Sequence, residues 1–142
     1  MRMVRIAGIA LLLGCGGSAD TTAVAVSIVG TWNARTIDGV PLPAPDQYSQ
    51  TLSDKLVVNS GGSYVETQVY ELRTSASGWT TPITSTDPGA WGGFGNAFHF
   101  RPTAANALTP DSQAVFDGTT LRVSWEIETS SGPIVQVFAY TQ

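Results

Sequence analysis

The chain of 142 residues has little of what most protein chemistry requires. Its one histidine, His99, cannot build a site of several imidazoles or a His-x-x-x-His zinc helix. Its one cysteine, Cys15, excludes an internal disulfide. No Gly-x-Ser-x-Gly turn marks a hydrolase nucleophile. Lys and Arg number 7 against 11 Asp and Glu, and no basic residues cluster, so nucleic acid is not an expected partner. Charged residues are only 13% of the chain, while Val, Ile, Leu and aromatics are ample, which describes a folded chain rather than a disordered one. No stretch has the length and periodicity of an amphipathic helix.

The amino terminus reads as an address. Arg2 and Arg5 precede an apolar run from Ile6 to Leu13, far short of the roughly 20 residues a membrane helix needs. A basic start and a short apolar run fit a signal peptide. Leu12-Leu13-Gly14-Cys15 resembles the lipobox of bacterial lipoproteins. That resemblance implies a leader over residues 1–14, cleavage after Gly14, and a diacylglyceryl thioether on Cys15 with an acylated amino terminus. Several acyl chains, at about 0.8 kcal/mol per buried CH2, hold a protein persistently where one does not. The mature protein would then have no free thiol. Losing Arg2 and Arg5 leaves five basic and eleven acidic residues, a net charge of −6. Gly16, standing where Asp would retain a lipoprotein in the inner membrane, implies an exported protein on the outer membrane, facing periplasm or cell surface. Residues 15–27 form the anchor and a small, polar tether, which as flexible coil spans on the order of 20 Å.

Residues 28–142 form one domain of about 115 residues, large enough to bury roughly two thirds of its unfolded surface without a staple. Leu121 to Glu128 alternates apolar and polar without a fault, between Asp117-Gly118 and Ser131-Gly132-Pro133. Ile134 to Thr141 completes a hairpin, with Ile134, Gln136, Phe138 and Tyr140 on one face. Ile28 to Ile37 alternates too, and Leu52 to Asn59, Gly61-Gly62 and Ser63 to Thr74 predict a second hairpin. Ala97 to Arg101 and Asp111 to Phe116 add short strands. Val40 to Gln50, with Pro41, Pro43 and Pro45, and Ser75 to Ala90 are expected to be loops. Seven or eight evenly spaced strands predict an all-β sandwich or an up-and-down barrel.

Ile28-Val29-Gly30-Thr31-Trp32, followed by Ile37-Asp38-Gly39-Val40-Pro41-Leu42-Pro43, resembles the opening of bacterial lipocalin-like domains. There a Gly-x-Trp strand leads into an Asp-Gly-x-x-Leu-Pro segment. Pro88-Gly89-Ala90-Trp91, the Leu-x-Val strand after Asp117-Gly118 and the late Tyr140 are similar in order. The likeness implies a small antiparallel barrel with Trp32 plugging one end. The Thr-Asp-x-x-Arg turn and late arginine of true lipocalins are absent, and similar barrels inhibit proteases, so the resemblance does not choose a function.

Searched for chemistry, the domain offers none, and no cofactor or metal is expected. His99, between Phe98 and Phe100, reads as a strand residue on the wet face. Glu126 and Glu128 share one face but fall on the solvated side. Asp38 and Asp46 lack the dense oxygen pattern of a calcium site, and Asp38-Gly39 reads as a turn. Gly92-Gly93 and Gly95 are too few to cradle a phosphate. The prolines at 41, 43 and 45 read as stiffening a loop rather than as a docking peptide. The aromatics carry what leverage exists. Trp32, Phe98, Phe100, Trp125, Phe138 and Tyr140 all fall on inward faces, either as a packed core or as the lining of a pocket for a small apolar or amphipathic ligand. Trp79 and Trp91 are expected at the rim, to contact a partner or fold back as a lid. The sequence therefore points to a non-enzymatic, membrane-anchored binding barrel. The alternative is an interaction module, a protease inhibitor or envelope assembly factor, that uses its rim.

Overall fold

Alternation with period two decides the architecture, because each strand offers one apolar face that only a second wall can cover. The computed structural model describes residues 26–74, 78–103, 111–129 and 132–142, so the expected leader, Cys15 and most of the expected tether lie outside the described residues. The strands are β1 (Gly30–Ile37), β2 (Val40–Pro41), β3 (Ala44–Pro45), β4 (Ser49–Val58), β5 (Ser63–Leu72), β6 (Ile83–Phe94), β7 (Ala97–Pro102), β8 (Ser112–Phe116), β9 (Leu121–Thr129) and β10 (Gly132–Thr141). Sequential strands from β4 to β10 pair antiparallel, and β10 pairs β1. Pairing of β1 with β4, from Gly30 opposite Val58 to Asn33 opposite Lys55, closes the ring. The result is a closed eight-stranded up-and-down barrel, with β2 and β3 as two-residue additions. Closure leaves no long free edge among the described strands.

Turn chemistry sets several corners. Asp38 and Gly39 both have positive φ, 52° and 81°, the backbone of a tight hairpin turn. Asp38 Oδ1 also accepts the Val137 amide at 2.8 Å. Asn59 to Gly62 forms the β4–β5 turn, with the Gly62 amide donating to the Asn59 carbonyl at 3.2 Å.

Two register shifts re-aim side chains. One lies between Ala34 and Thr36 of β1, the other between Thr51 and Ser53 of β4. An extra residue flips the parity beyond it. Ile37 therefore joins Trp32 and Ala34 inside, although strict alternation would turn it outward.

Of the segment expected as a loop, Ile83 to Ala90 is strand, for β6 begins at Ile83 and pairs along β5 from Ser63–Ala90 to Tyr70–Ile83, while residues 75–77 lie outside the described residues. Its glycines and Pro88 disguise it. Pro88 is tolerated because its carbonyl bonds Thr103, just past the end of β7, so the missing N–H faces a point where the neighbouring ladder stops. A side chain at Gly89 would overlap the Tyr64 ring and the Arg101 carbonyl; only glycine lets that ring lie on the wall.

The interior below the middle of the barrel is solid. Trp32, Tyr64, Phe98, Phe100, Leu121, Val123, Trp125, Phe138 and Tyr140 are all buried in one cluster. Tyr64 meets Phe100 edge-on at 5.1 Å between ring centroids, and Trp32 meets Phe116 likewise at 5.5 Å. Trp32 sits at the end where β1 begins and donates its indole N–H to the Ile28 carbonyl at 2.7 Å.

Candidate functional site

Moving along the strands away from Trp32, the inward residues change character. β4 turns Val58, Leu56, Asp54 and then Thr51 inward; β5 turns Tyr64, Glu66, Gln68 and Tyr70 inward. Beside them β6 places Asp87 opposite Glu66 and Ser85 opposite Gln68. Apolar side chains below thus give way to a band of carboxyl, amide and hydroxyl groups. Asp54 is only 2% exposed. The Tyr140 hydroxyl donates to its Oδ1 at 2.9 Å, while the Trp125 indole N–H points to the Tyr140 oxygen at 3.4 Å. Asp54 Oδ2 is buried with no hydrogen-bond partner, as is the Tyr64 hydroxyl.

The electrostatics follow from this crowding. Burial pushes the Asp54 carboxyl up to about 6, against the opposing pull of its polar neighbours Glu66, Tyr140 and Gln68. Glu66 is raised well above the usual carboxylate range by burial and then by the charge of Asp54. Two carboxyls this close do not both ionise readily, so each raises the other's affinity for its proton. The Tyr140 phenol is raised by burial and by the same two acids. Among the described residues no basic side chain compensates. Arg35, Lys55, Arg73, Arg101 and Arg122 are all exposed, and His99 lies outside the wall across from Gly92.

Above this band a cavity of about 370 Å³ opens at the barrel end remote from Trp32. Ile37, Ile127 and Ile134 give it apolar walls; Thr51, Gln68 and Gln136 give it polar ones. The proline segment bends over its mouth through Val40, Ala44 and Pro45. Asp46 fixes that segment: its Oδ1 accepts the Tyr48 and Ser49 amides, each at 2.6 Å. Burial works against its charge, yet these bonds win and hold Asp46 below its ordinary value.

The six aromatics expected on inward faces, as packed core or as pocket lining, are brought together in the buried core. None of Trp32, Phe98, Phe100, Trp125, Phe138 and Tyr140 borders this cavity. Trp79 and Trp91 do not share a rim. Trp79 bridges Arg73 beyond the end of β5 and lies under its guanidinium at 5.1 Å. Trp91 is at the opposite end of β5, packed on Phe98 and donating to the Asn59 carbonyl at 2.8 Å. Glu126 projects from the outer side of β9, as alternation required. Sequence reasoning missed Asp54 and Glu66. Their signal was parity: Asp54 falls in step with Leu56 and Val58, and Glu66 with Tyr64, so inward strand faces carry acids. No metal-holding group of three or more His, Cys, Asp or Glu occurs among the described residues.

No family model, no curated protein and no solved structure matches the chain.

Proposed function

We propose that this protein is a non-enzymatic binding barrel that holds a small amphipathic molecule in the cup above the acid band. The single observation carrying the reading is the cavity of about 370 Å³, within the usual range of small-molecule pockets, set in a closed wall with apolar sides and a few polar groups at its floor. The aromatic core below serves as a rigid base and not as the pocket. A lipocalin-like function of this kind rests on the closed eight-strand barrel together with the Gly30-Thr31-Trp32 opening and its Asp38-Gly39 turn.

Anchoring through lipidated Cys15 to a bacterial membrane belongs to the same reading. Val26 to Ile28 lead into the lower end, and the cup opens at the other, so a tethered domain would present its mouth away from the lipid surface. Changing Cys15→Ser should release the protein from membrane fractions; continued co-fractionation with membranes would refute the anchor.

Native mass spectrometry of the full chain after exposure to envelope extracts tests the cup. The expected result is a retained small-molecule adduct that disappears when Gln136→Trp fills the cavity. A chain that retains nothing, or an adduct indifferent to Gln136→Trp, overturns the reading.

A further inference from the structure

Taking the cup as a ligand site, we propose that its ligand is a small organic cation, an ammonium group on an apolar body, which donates past Gln68 to the carboxylates of Asp54 and Glu66. The inference rests on that reading and deepens it.

Three carboxyls, Asp54, Glu66 and Asp87, face the interior at neighbouring levels of the barrel, and no basic side chain among the described residues turns in to meet them. Charged carboxylates accept hydrogen bonds and donate none, so what they lack is donors. Tyr140 supplies one to Asp54 Oδ1, and Ser85 supplies one to Asp87 at 3.2 Å. Asp54 Oδ2 receives none although the residue is 98% shielded from solvent. An unfilled buried acceptor is costly unless something visits it. Gln68 joins this level to the cup, because it lines the cavity and stands opposite Asp54 in the β4–β5 ladder. The isoleucine walls above suit an alkyl or aryl body.

A metal ion is the poorer fit. The three acids do not gather into a metal-holding group, and a divalent ion wants six or more oxygen ligands around one point. An ammonium group needs only two or three acceptors and brings its own donors.

Titrating the full chain with hexylamine and, in parallel, with 1-hexanol tests this by tryptophan fluorescence, since Trp125 touches Tyr140. The two probes match in length and differ in charge. Hexylamine should bind at least about tenfold more tightly. Asp54→Asn should abolish that preference, whereas Glu126→Gln on the outer wall should leave it intact. Equal binding of the two probes overturns the cation while sparing the cup. So does a preference that survives Asp54→Asn or falls with Glu126→Gln, the latter marking surface attraction. Binding of neither probe removes both readings. Circular dichroism melts of each variant separate lost binding from lost fold.

Discussion

The two halves of the barrel interior are built from the same strands yet solve opposite problems. Below, from Trp32 to Trp125, aromatic rings fill the space and every buried indole N–H reaches an oxygen. Above, the same β4 and β5 turn in Asp54, Glu66 and Gln68 and leave an open cup. A barrel of eight strands is just wide enough for either outcome, so the side chains decide which is realised. The lower half spends hydrophobic burial on stability. The upper half gives some of it up to hold polar groups in a shaped space, as functional regions commonly do.

The sharpest way to break this contrast is to empty the lower half. Trp32→Ala removes a fully enclosed ring and its bond to Ile28, and should cost about 3–5 kcal/mol in denaturant unfolding. A cost near that of a surface change would show that the plug is not part of the core.

Next in size is the acid pair, whose effect carries a sign. The folded value of Asp54, about 6, lies above its ordinary 3.8, so folding favours its protonated form. Its contribution is fully present below about pH 4 and is lost as pH rises through about 6. Glu66 is displaced in the same direction. Asp46, Asp111 and Asp117 are displaced the other way, so their contributions fade only as pH falls below the ordinary carboxylate value. Stability should therefore increase on going from pH 7 to pH 5. Asp54→Asn should raise stability at pH 8 by roughly 3 kcal/mol and change little at pH 4. Equal effects at both pH values would mean the carboxyl is not held protonated by the fold.

Gly89→Ala follows, at about 1–3 kcal/mol of destabilisation, because a methyl group there meets the Tyr64 ring and the Arg101 carbonyl. Retained stability would show that the ring can swing away. The smallest effect belongs to the cup. Ile134→Ala, at a 43% exposed residue, should lower unfolding stability by less than about 0.5 kcal/mol while weakening whatever the cavity holds. A large loss there would mean that the upper half is core after all, and the comparison would fall.

Particular elements show how much of this the sequence displayed. Leu121 to Glu128 and Ile134 to Thr141 appear as strands β9 and β10, with the expected faces on β9 from Leu121 to Ile127, because fault-free alternation admits one buried side. β6 stayed hidden, since Pro88, Gly89, Gly92 and Gly93 imitate a loop. Their tolerance depends on where β7 ends and where the Tyr64 ring lies, and neither is a local property. The acids were written in the right parity, yet a glutamate in a strand ordinarily marks the wet face, as Glu126 does. Two one-residue register shifts further blurred which residues line the cup, and no alternation count reveals a bulge in advance.

By itself the chain determined strand after strand with turns between, a ring-rich inner face, and a scarcity of the groups that catalysis uses. Period-two patterning and turn residues act over a few positions, so these features need no distant partner. Only the tertiary structure decided that β1 closes on β4, that the aromatics pack solid rather than line a pocket, and that two carboxyls meet beneath a cup. Those outcomes depend on which side chains converge from strands far apart in the chain, and on the space left once the rings are in place.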